Sequence, residues 1–412
     1  MPTARLAAAL ANAGFRVEVL CPAQHPVEQT HAASRIYSYG GLAPLRSLSS
    51  AIAIAEPDLI LPGDDLATSH LHDLYLRRDL YSSQIPDLGP LIERSLGSPA
   101  SFPVVQARAS FMKLAAAEGV RVPETDALET AEDLKGWIER FGLPTVLKAD
   151  GTSGGEGVRF VRSAAEAHRA FRKLQSPPLL ARACKRALVN QDRTLLWPSL
   201  LRRRPTVNAQ AFVAGHEATS TVACWMGTVM ASLHFEVLRK GNAAGHATVV
   251  RLINNPEIST AVEKVVRRIG LSGLYGFDFV LETGTGNAYL IEINPRSTQV
   301  GHLTLGPERD LPAALYGAIS GHPTRVSPTV TENDTIALFP HEWARDPQSE
   351  FLRTAYHDVP WDAPELVHAC VSRARKESVW YARDDAKHNS VGAISPMNVP
   401  AEGNAAARSS AR

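Results

Sequence analysis

Two acidic residues stand inside otherwise apolar runs, and they constrain the chain more than anything else in it. Asp278 lies in "FDF" within GLYGFDFVLE, and Glu292 lies in "LIEIN" within NAYLIEINPRS; the two runs are joined by the turn-rich TGTGN. Both runs read as strands, and consecutive strands across a short turn pair antiparallel. Their carboxylates then project together from one face. A merely solvated face would not carry so many apolar neighbours, so two carboxylates placed there need a cation. Asn294, two positions beyond Glu292, adds a neutral oxygen to that face. Such an all-oxygen set, completed by phosphate and water, suits Mg²⁺ or Mn²⁺. Arg296 falls on the same face again, where a planar guanidinium would meet a phosphoryl group or a substrate carboxylate.

The stretch LKADGTSGGEGVRF, Leu147 to Phe160, is the second signal. Glycines reach positive φ and let backbone N–H groups converge on a phosphate, although a glycine-rich hairpin is also simply a tight turn. The stretch lacks the GKT or GKS of a Walker loop and a strand follows it, so neither that motif nor the dinucleotide fingerprint fits. Lys148 ends an apolar strand and is read either as seeking an anion or as snorkelling from a sheet edge.

At 412 residues the chain should form two or three packed units. The alternation of helix (Thr3 to Gly14), strand (RVEVLC), helix and a second strand (PDLILP) predicts a small Rossmann-like α/β unit over 1–105. Such a layer usually opens on a strand, so this one either follows an upstream strand or lacks its first. Helices ARASFMKLAAAE, AEDLKGWIERFG, AAEAHRAFRKL and ISTAVEKVVRRIG alternate with strands in PTVLKA, VRFVRS, TVNAQAFVAG, EATSTVACWMG and TVMASLHFEVLRK. The later strands should be antiparallel with one covered face. This gives an α+β region over 106–325 in two subdomains, with a lid at about 120–210. An extension over 326–382 would hold a strand in TIALFPHEW and a proline-started helix in PWDAPELVHACVSRA, before a disordered tail over 383–412.

With 43 basic and 42 acidic residues, no overall field draws the chain to nucleic acid or an anionic membrane. Four scattered cysteines without CxxC spacing argue against a zinc site or disulfide framework and fit a reducing cytoplasm. The alanine-rich opening is too short in its apolar part for a signal peptide.

GLPTVLKADGTSGGEGVRFV, AQAFVAGHEATSTVACWMG, GFDFVLE and YLIEINPRS stand in the order and at the spacings of the ATP-grasp enzymes, which the chain resembles from about Arg108 to Pro323. The similarity is greatest to the biotin carboxylase and carbamoyl-phosphate synthetase branch. It implies an ATP-grasp fold after the small α/β unit, with ATP and Mg²⁺ as cofactors. It also implies roles: Lys148 and Arg108 at the nucleotide phosphates, Gly151, Gly154, Gly155 and Gly157 in a closing loop, Asp278, Glu292 and Asn294 as metal ligands, and Arg296, with Lys148, as catalytic. The hinge at the adenine would be Gln210, Phe212 and Val213, although Ala211 stands where the family usually has glutamate, which leaves base recognition to neighbours or backbone.

The implied activity is ligation: ATP phosphorylates a small carboxylate (or bicarbonate), and an amine or thiol displaces the phosphate. The alternative is an ATP-binding module without that chemistry, or another phosphotransferase. Acceptor contacts are expected from Asp64 and Asp65 at the carboxyl end of a parallel strand, from Arg239 and Lys240, and from His302; the nearby LRRRP, Leu201 to Pro205, reads as a solvated basic loop. His302 is read equally as a packed histidine, and Arg239 and Lys240 equally as part of a solvated loop. The segment beyond Gly321 would close the site or serve as a homodimer surface.

Overall fold

The structure is a computed structural model and describes residues 2–152, 155, 157–176, 204–241, 245–322 and 328–372. Helix α1 (Pro2–Ala13) ends at Gly14, whose φ of 112° reverses the chain into β1 (Val17–Cys21). Strand β2 (Ala33–Ser38) pairs parallel with β1. Helices α2 (Pro44–Ala55), α3 (Asp65–Leu76) and α4 (Leu88–Leu96) then close around Leu48, Ile52, Leu71, Leu74 and Ile92. The expected strand at PDLILP is absent. Leu59 and Leu61 turn to one core and Ile60 to another, as in an extended segment, but the Ile60 N–H is used by Ser95 Oγ at 2.9 Å and not by a neighbouring strand. Among the described residues the parallel layer therefore has two strands, β1 and β2.

Helices α5 (Phe102–Gln106) and α6 (Arg108–Ala117) lead to a four-stranded antiparallel sheet of order β3-β6-β4-β5. Its elements are β3 (Thr125–Leu128), α7 (Ala131–Phe141), β4 (Thr145–Ala149), β5 (Val158–Val161), α8 (Ala164–Leu174) and β6 (Val207–Ala211). Thr130 and Asp133 form a capping box that starts α7, satisfying two otherwise orphan N–H groups. Alternation then divides the sheet. Leu147, Ala149, Val207 and Ala209 pack on Trp137 and Phe171 of the helices, while Val146, Lys148 and Gln210 face a cleft.

Across that cleft stands a seven-stranded sheet of order β11-β10-β7-β8-β9-β12-β13. It comprises β7 (Gly215–Trp225), β8 (Thr228–Lys240), β9 (Ala247–Leu252), β10 (Gly273–Glu282), β11 (Ala288–Asn294), β12 (Thr335–Ala337) and β13 (Tyr356–His357). Helices α9 (Pro256–Ile269) and α6 cover one face, over Val222, Phe277 and Phe279. Helices α1 and α10 (Leu311–Ser320) cover the other, over Ala223, Leu233 and Phe235. The expectation of one covered face is corrected: both are buried at the centre. Alternation survives because its polar positions satisfy one another there, as His234 does with Ser220 Oγ (2.8 Å) and Ser259 Oγ (2.9 Å). Ile258, Val262, Val265, Val266 and Ile269 of α9 are all buried, at about 1.5–3 kcal/mol for each such side chain.

Beyond Gly321 the chain is part of this sheet. TIALFPHEW supplies only β12 as strand and then turns into α11 (His341–Arg345). The proline-started helix begins at Pro364 and runs over 364–372. The tail expectation for 383–412 lies outside the described residues. Among the described residues no helix is long and apolar enough to cross a membrane. Cys21 and Cys224 are unbridged thiols, and Cys184 lies outside the described residues.

Candidate functional site

The two sheets leave a continuous cleft of about 3230 Å³ that reaches the N-terminal layer. Single small-molecule sites occupy about 300–1,000 Å³, so there is room for more than one reactant. Asp278 and Glu292 are direct cross-strand partners on β10 and β11, and both line the cleft. Asn294 Nδ2 donates to Asp278 Oδ2 at 2.9 Å.

A bulge falls at this point. Asp278 pairs with Glu292 but Phe279 pairs with Leu290, which leaves Ile291 as an extra residue. Its carbonyl accepts from Lys148 Nζ at 3.3 Å and from Gln210 Nε2 at 3.5 Å, across the cleft from the other sheet. Nothing in the sequence signals this bulge, and it gives the two sheets a direct contact in the site.

Arg108, at the start of α6, closes the same centre. Its guanidinium donates to Glu292 Oε1 at 2.6 Å and to the Ala149 carbonyl at 2.8 Å. It also approaches Asp150 Oδ1 at 3.4 Å, which Asn208 Nδ2 holds at 2.9 Å. Among the described residues the buried Arg108 Nε has no hydrogen-bond partner.

The two carboxylates are electrostatically unequal. Burial acts to raise Glu292, but Arg108 and Lys148 outweigh it and hold the carboxyl below its usual range. At Asp278 the lowering effects of Asn294, Thr219 and Arg296 are the smaller ones. Burial, and then the charge of Glu292, push it up to about 6. Burial likewise pulls the Lys148 ammonium below its ordinary range, in spite of Glu292. The positive charge around Asp278 is thus too weak to offset its burial. A hard divalent cation fits that deficit and the oxygens of Asp278, Glu292 and Asn294. Among the described residues no three His, Cys, Asp or Glu side chains converge on one point, so other positions on such a cation would fall to phosphate and water.

Gly151 (φ 70°) and Gly155 (φ 79°) hold the left-handed turns of the glycine loop. A Cβ on Gly157 would meet Thr152 Oγ1 at 2.0 Å. Gly154 lies outside the described residues, as do 201–203 of the basic LRRRP loop. At the hinge Gln210 is buried and bonded to Thr125 Oγ1 at 3.1 Å. Phe212 and Val213 line the cleft. Phe212 stands edge-on to Phe160, with ring centroids 6.3 Å apart.

Of the acceptor candidates, Lys240 lines the cleft and pairs with Glu217 at 2.7 Å. Arg239 does not, because the next residue in a strand points the other way; it stacks on Phe351 at 5.2 Å. His302 is also outside the acceptor region. It is buried against Asp358 at 3.0 Å, and Asp358 in turn binds Arg5 at 2.5 Å. Asp64 serves as a helix cap, accepting from the Ala67 N–H at 2.7 Å. Asp65 does reach the site, but its partner is Arg296 Nε at 3.1 Å. Asp150, Asn208, Glu217 and Phe160 were not singled out by the sequence. Phe160 and Glu217 line the cleft, Asp150 and Asn208 meet behind Arg108, and register sets Thr219 opposite Asp278.

The family model described as an ATP-grasp domain matches residues 197–300. The carbamoyl phosphate synthase large chain of Renibacterium salmoninarum is 21% identical over 228 residues, which are 55% of this chain and 18% of that one. The chain thus spans under a fifth of that relative. Among solved structures, the biotin carboxylase of Campylobacter jejuni aligns at TM-score 0.57 and 15% identity over 81% of this chain and 72% of the other. The biotin carboxylase domain of the Hydrogenobacter thermophilus 2-oxoglutarate carboxylase, with MgADP and bicarbonate, aligns at 0.55 and 16% over 78% and 69%. N5-carboxyaminoimidazole synthetase from Staphylococcus aureus, with ADP, aligns at 0.54 and 15% over 78% and 77%.

Proposed function

We propose, on the premise that this chain is a member of the ATP-grasp family, that it is a Mg-ATP-dependent ligase which activates a small carboxylic acid, or bicarbonate, as an acyl phosphate. The observation that carries this reading is the convergence of Asp278, Glu292, Asn294, Lys148, Arg108 and Arg296 on one cleft between two sheets. The carboxylate pair would hold Mg-nucleotide in either reading; Arg296 beyond it is what favours an acid acceptor.

ATP would lie between the sheets, with its base against Phe160, Phe212 and Val213 and its phosphates toward Lys148 and the glycine loop. Asp278, Glu292 and Asn294 would hold Mg²⁺, which when bound neutralises charge on the phosphates. Lys148 and Arg108 fix positive charge beside the transferring phosphoryl group, and such preorganised charge costs no rearrangement during reaction. Arg296 would orient the acid's carboxylate for attack on the terminal phosphorus, breaking the bond to ADP. The glycine loop would exclude water from the acyl phosphate until an amine or thiol displaces inorganic phosphate. The resemblance to a biotin carboxylase holding MgADP and bicarbonate supports ATP, Mg²⁺ and an acid of this kind.

The test is release of ADP and phosphate from Mg-ATP by purified protein offered bicarbonate and pools of small carboxylic acids and amino acids, with Glu292→Gln as the control. Release that depends on one pool and is lost in the variant is expected. Turnover no higher than in Glu292→Gln with every pool would reject the ligase.

A further inference from the structure

Arg296 follows β11 in a loop, and what holds that loop comes from the other end of the chain. Helix α3 begins with Asp64 as cap, so Asp65 and Thr68, three residues apart, fall on one side of its first turn. Both grip the loop. Thr68 Oγ1 donates to the Pro295 carbonyl at 2.6 Å, and Asp65 Oδ1 accepts from Arg296 Nε at 3.1 Å. Thr68 is buried, so its bond is shielded from water. Among the described residues, the terminal nitrogens of Arg296 have only long contacts, to the Ser297 carbonyl at 3.3 Å and to Asn294 Oδ1 at 3.4 Å. The guanidinium is therefore held from its inner nitrogen, and its fork is left toward the cleft that it lines.

We infer that Asp65 is a positioning residue for Arg296, and that the first turn of α3 thereby makes the N-terminal layer part of the catalytic apparatus. Asp65 was a candidate to bind a substrate amine; its observed partner gives it this role instead. The inference rests on the ligase reading, since it gives Arg296 a carboxylate to orient. Asp65 touches no reacting atom. Its carboxylate neutralises one edge of the guanidinium and fixes the plane of the fork, which a neutral oxygen acceptor would do in part. The Thr68 bond fixes the backbone at Pro295, and the Asp65 contact then sets the direction of the Arg296 side chain.

The experiment compares wild type with Asp65→Ala, Asp65→Asn and Thr68→Val. It follows phosphate release from Mg-ATP with bicarbonate, or with whichever small carboxylic acid gives wild type its highest rate, and measures MgADP affinity by calorimetry. Misplacing a reacting group by about 1 Å costs about 100-fold, so Asp65→Ala should lower kcat by about 10- to 100-fold. The KM for ATP and the MgADP affinity should stay within about twofold, because the base and phosphate contacts lie elsewhere in the cleft. Asp65→Asn keeps an oxygen for Arg296 Nε and should recover all but a few-fold of the rate. Thr68→Val removes the other grip and should lower kcat with the same unchanged ATP terms. An Asp65→Ala rate within twofold of wild type would overturn the positioning role while leaving the ligase intact, as would equal loss of kcat and MgADP affinity. No turnover by wild type with any acid would overturn the ligase and this role together.

Discussion

Replacing Asp278 by asparagine should stabilise the ligand-free protein while abolishing turnover. In the folded chain the carboxyl is pushed from its ordinary 3.8 up to about 6, first by burial and then by Glu292. A carboxyl raised on folding binds more protons in the native state than in the unfolded one, so native stability falls as pH rises through the interval between the two values. Well below pH 4 the group is protonated in both states and costs nothing. Above about pH 6 the full penalty is present. A shift of about two units at about 1.4 kcal/mol each bounds the penalty near 3 kcal/mol. Asp278 is partly exposed to the cleft, and solvent screening there reduces this to about 1–2 kcal/mol. Asparagine carries no charge and escapes the penalty. The assay is thermal unfolding of wild type and Asp278→Asn at pH 4, 6 and 8 without nucleotide or divalent cation. The variant should melt a few degrees higher at pH 8, with the difference shrinking toward pH 4, and it should show no Mg-dependent gain in nucleotide affinity. A variant that melts lower than wild type at pH 8 would refute the reasoning.

Lys148→Met keeps the buried volume but removes the charge beside Glu292; kcat/KM for ATP should fall by about 100- to 1,000-fold, and an unchanged value would remove Lys148 from the phosphate site. Gly157→Ala should slow turnover about tenfold through its collision with Thr152, and adding Thr152→Gly should restore most of the rate; failure to restore it would mean that the collision is not the cause. Asp358→Ala would strand Arg5 and His302 in a buried setting and should cost about 3–5 kcal/mol of stability, measured by urea unfolding at pH 7.

The sequence carried the candidate residues of the site but not their assembly. Asp278 and Glu292 were legible because charge inside an apolar strand is costly enough to demand a reason, and their pairing followed from a short turn. Helices with strong caps, such as α7 and α9, and strands bounded by glycine, such as β8 and β10, were legible for equally local reasons. What was not legible depends on contacts far apart in the chain. The run at Leu59 to Leu61 alternates as a strand does, yet a strand needs a ladder partner, and Ser95 supplies the hydrogen bond instead. His302 and Asp65 showed nothing locally to say that one would find Asp358 and the other Arg296. The bulge at Ile291 is set by register between β10 and β11, which no single strand specifies.

The central claim is that an acid's own oxygen attacks ATP, and oxygen transfer tests it most directly. The protein would be turned over with Mg-ATP and the stimulating acid, labelled with ¹⁸O in its carboxylate, in unlabelled water with an amine acceptor. The account predicts that the released inorganic phosphate carries one ¹⁸O from the acid, and that Glu292→Gln produces none. Phosphate whose new oxygen comes only from water would contradict it, because ATP would then be hydrolysed without passing its phosphoryl group to a carboxylate.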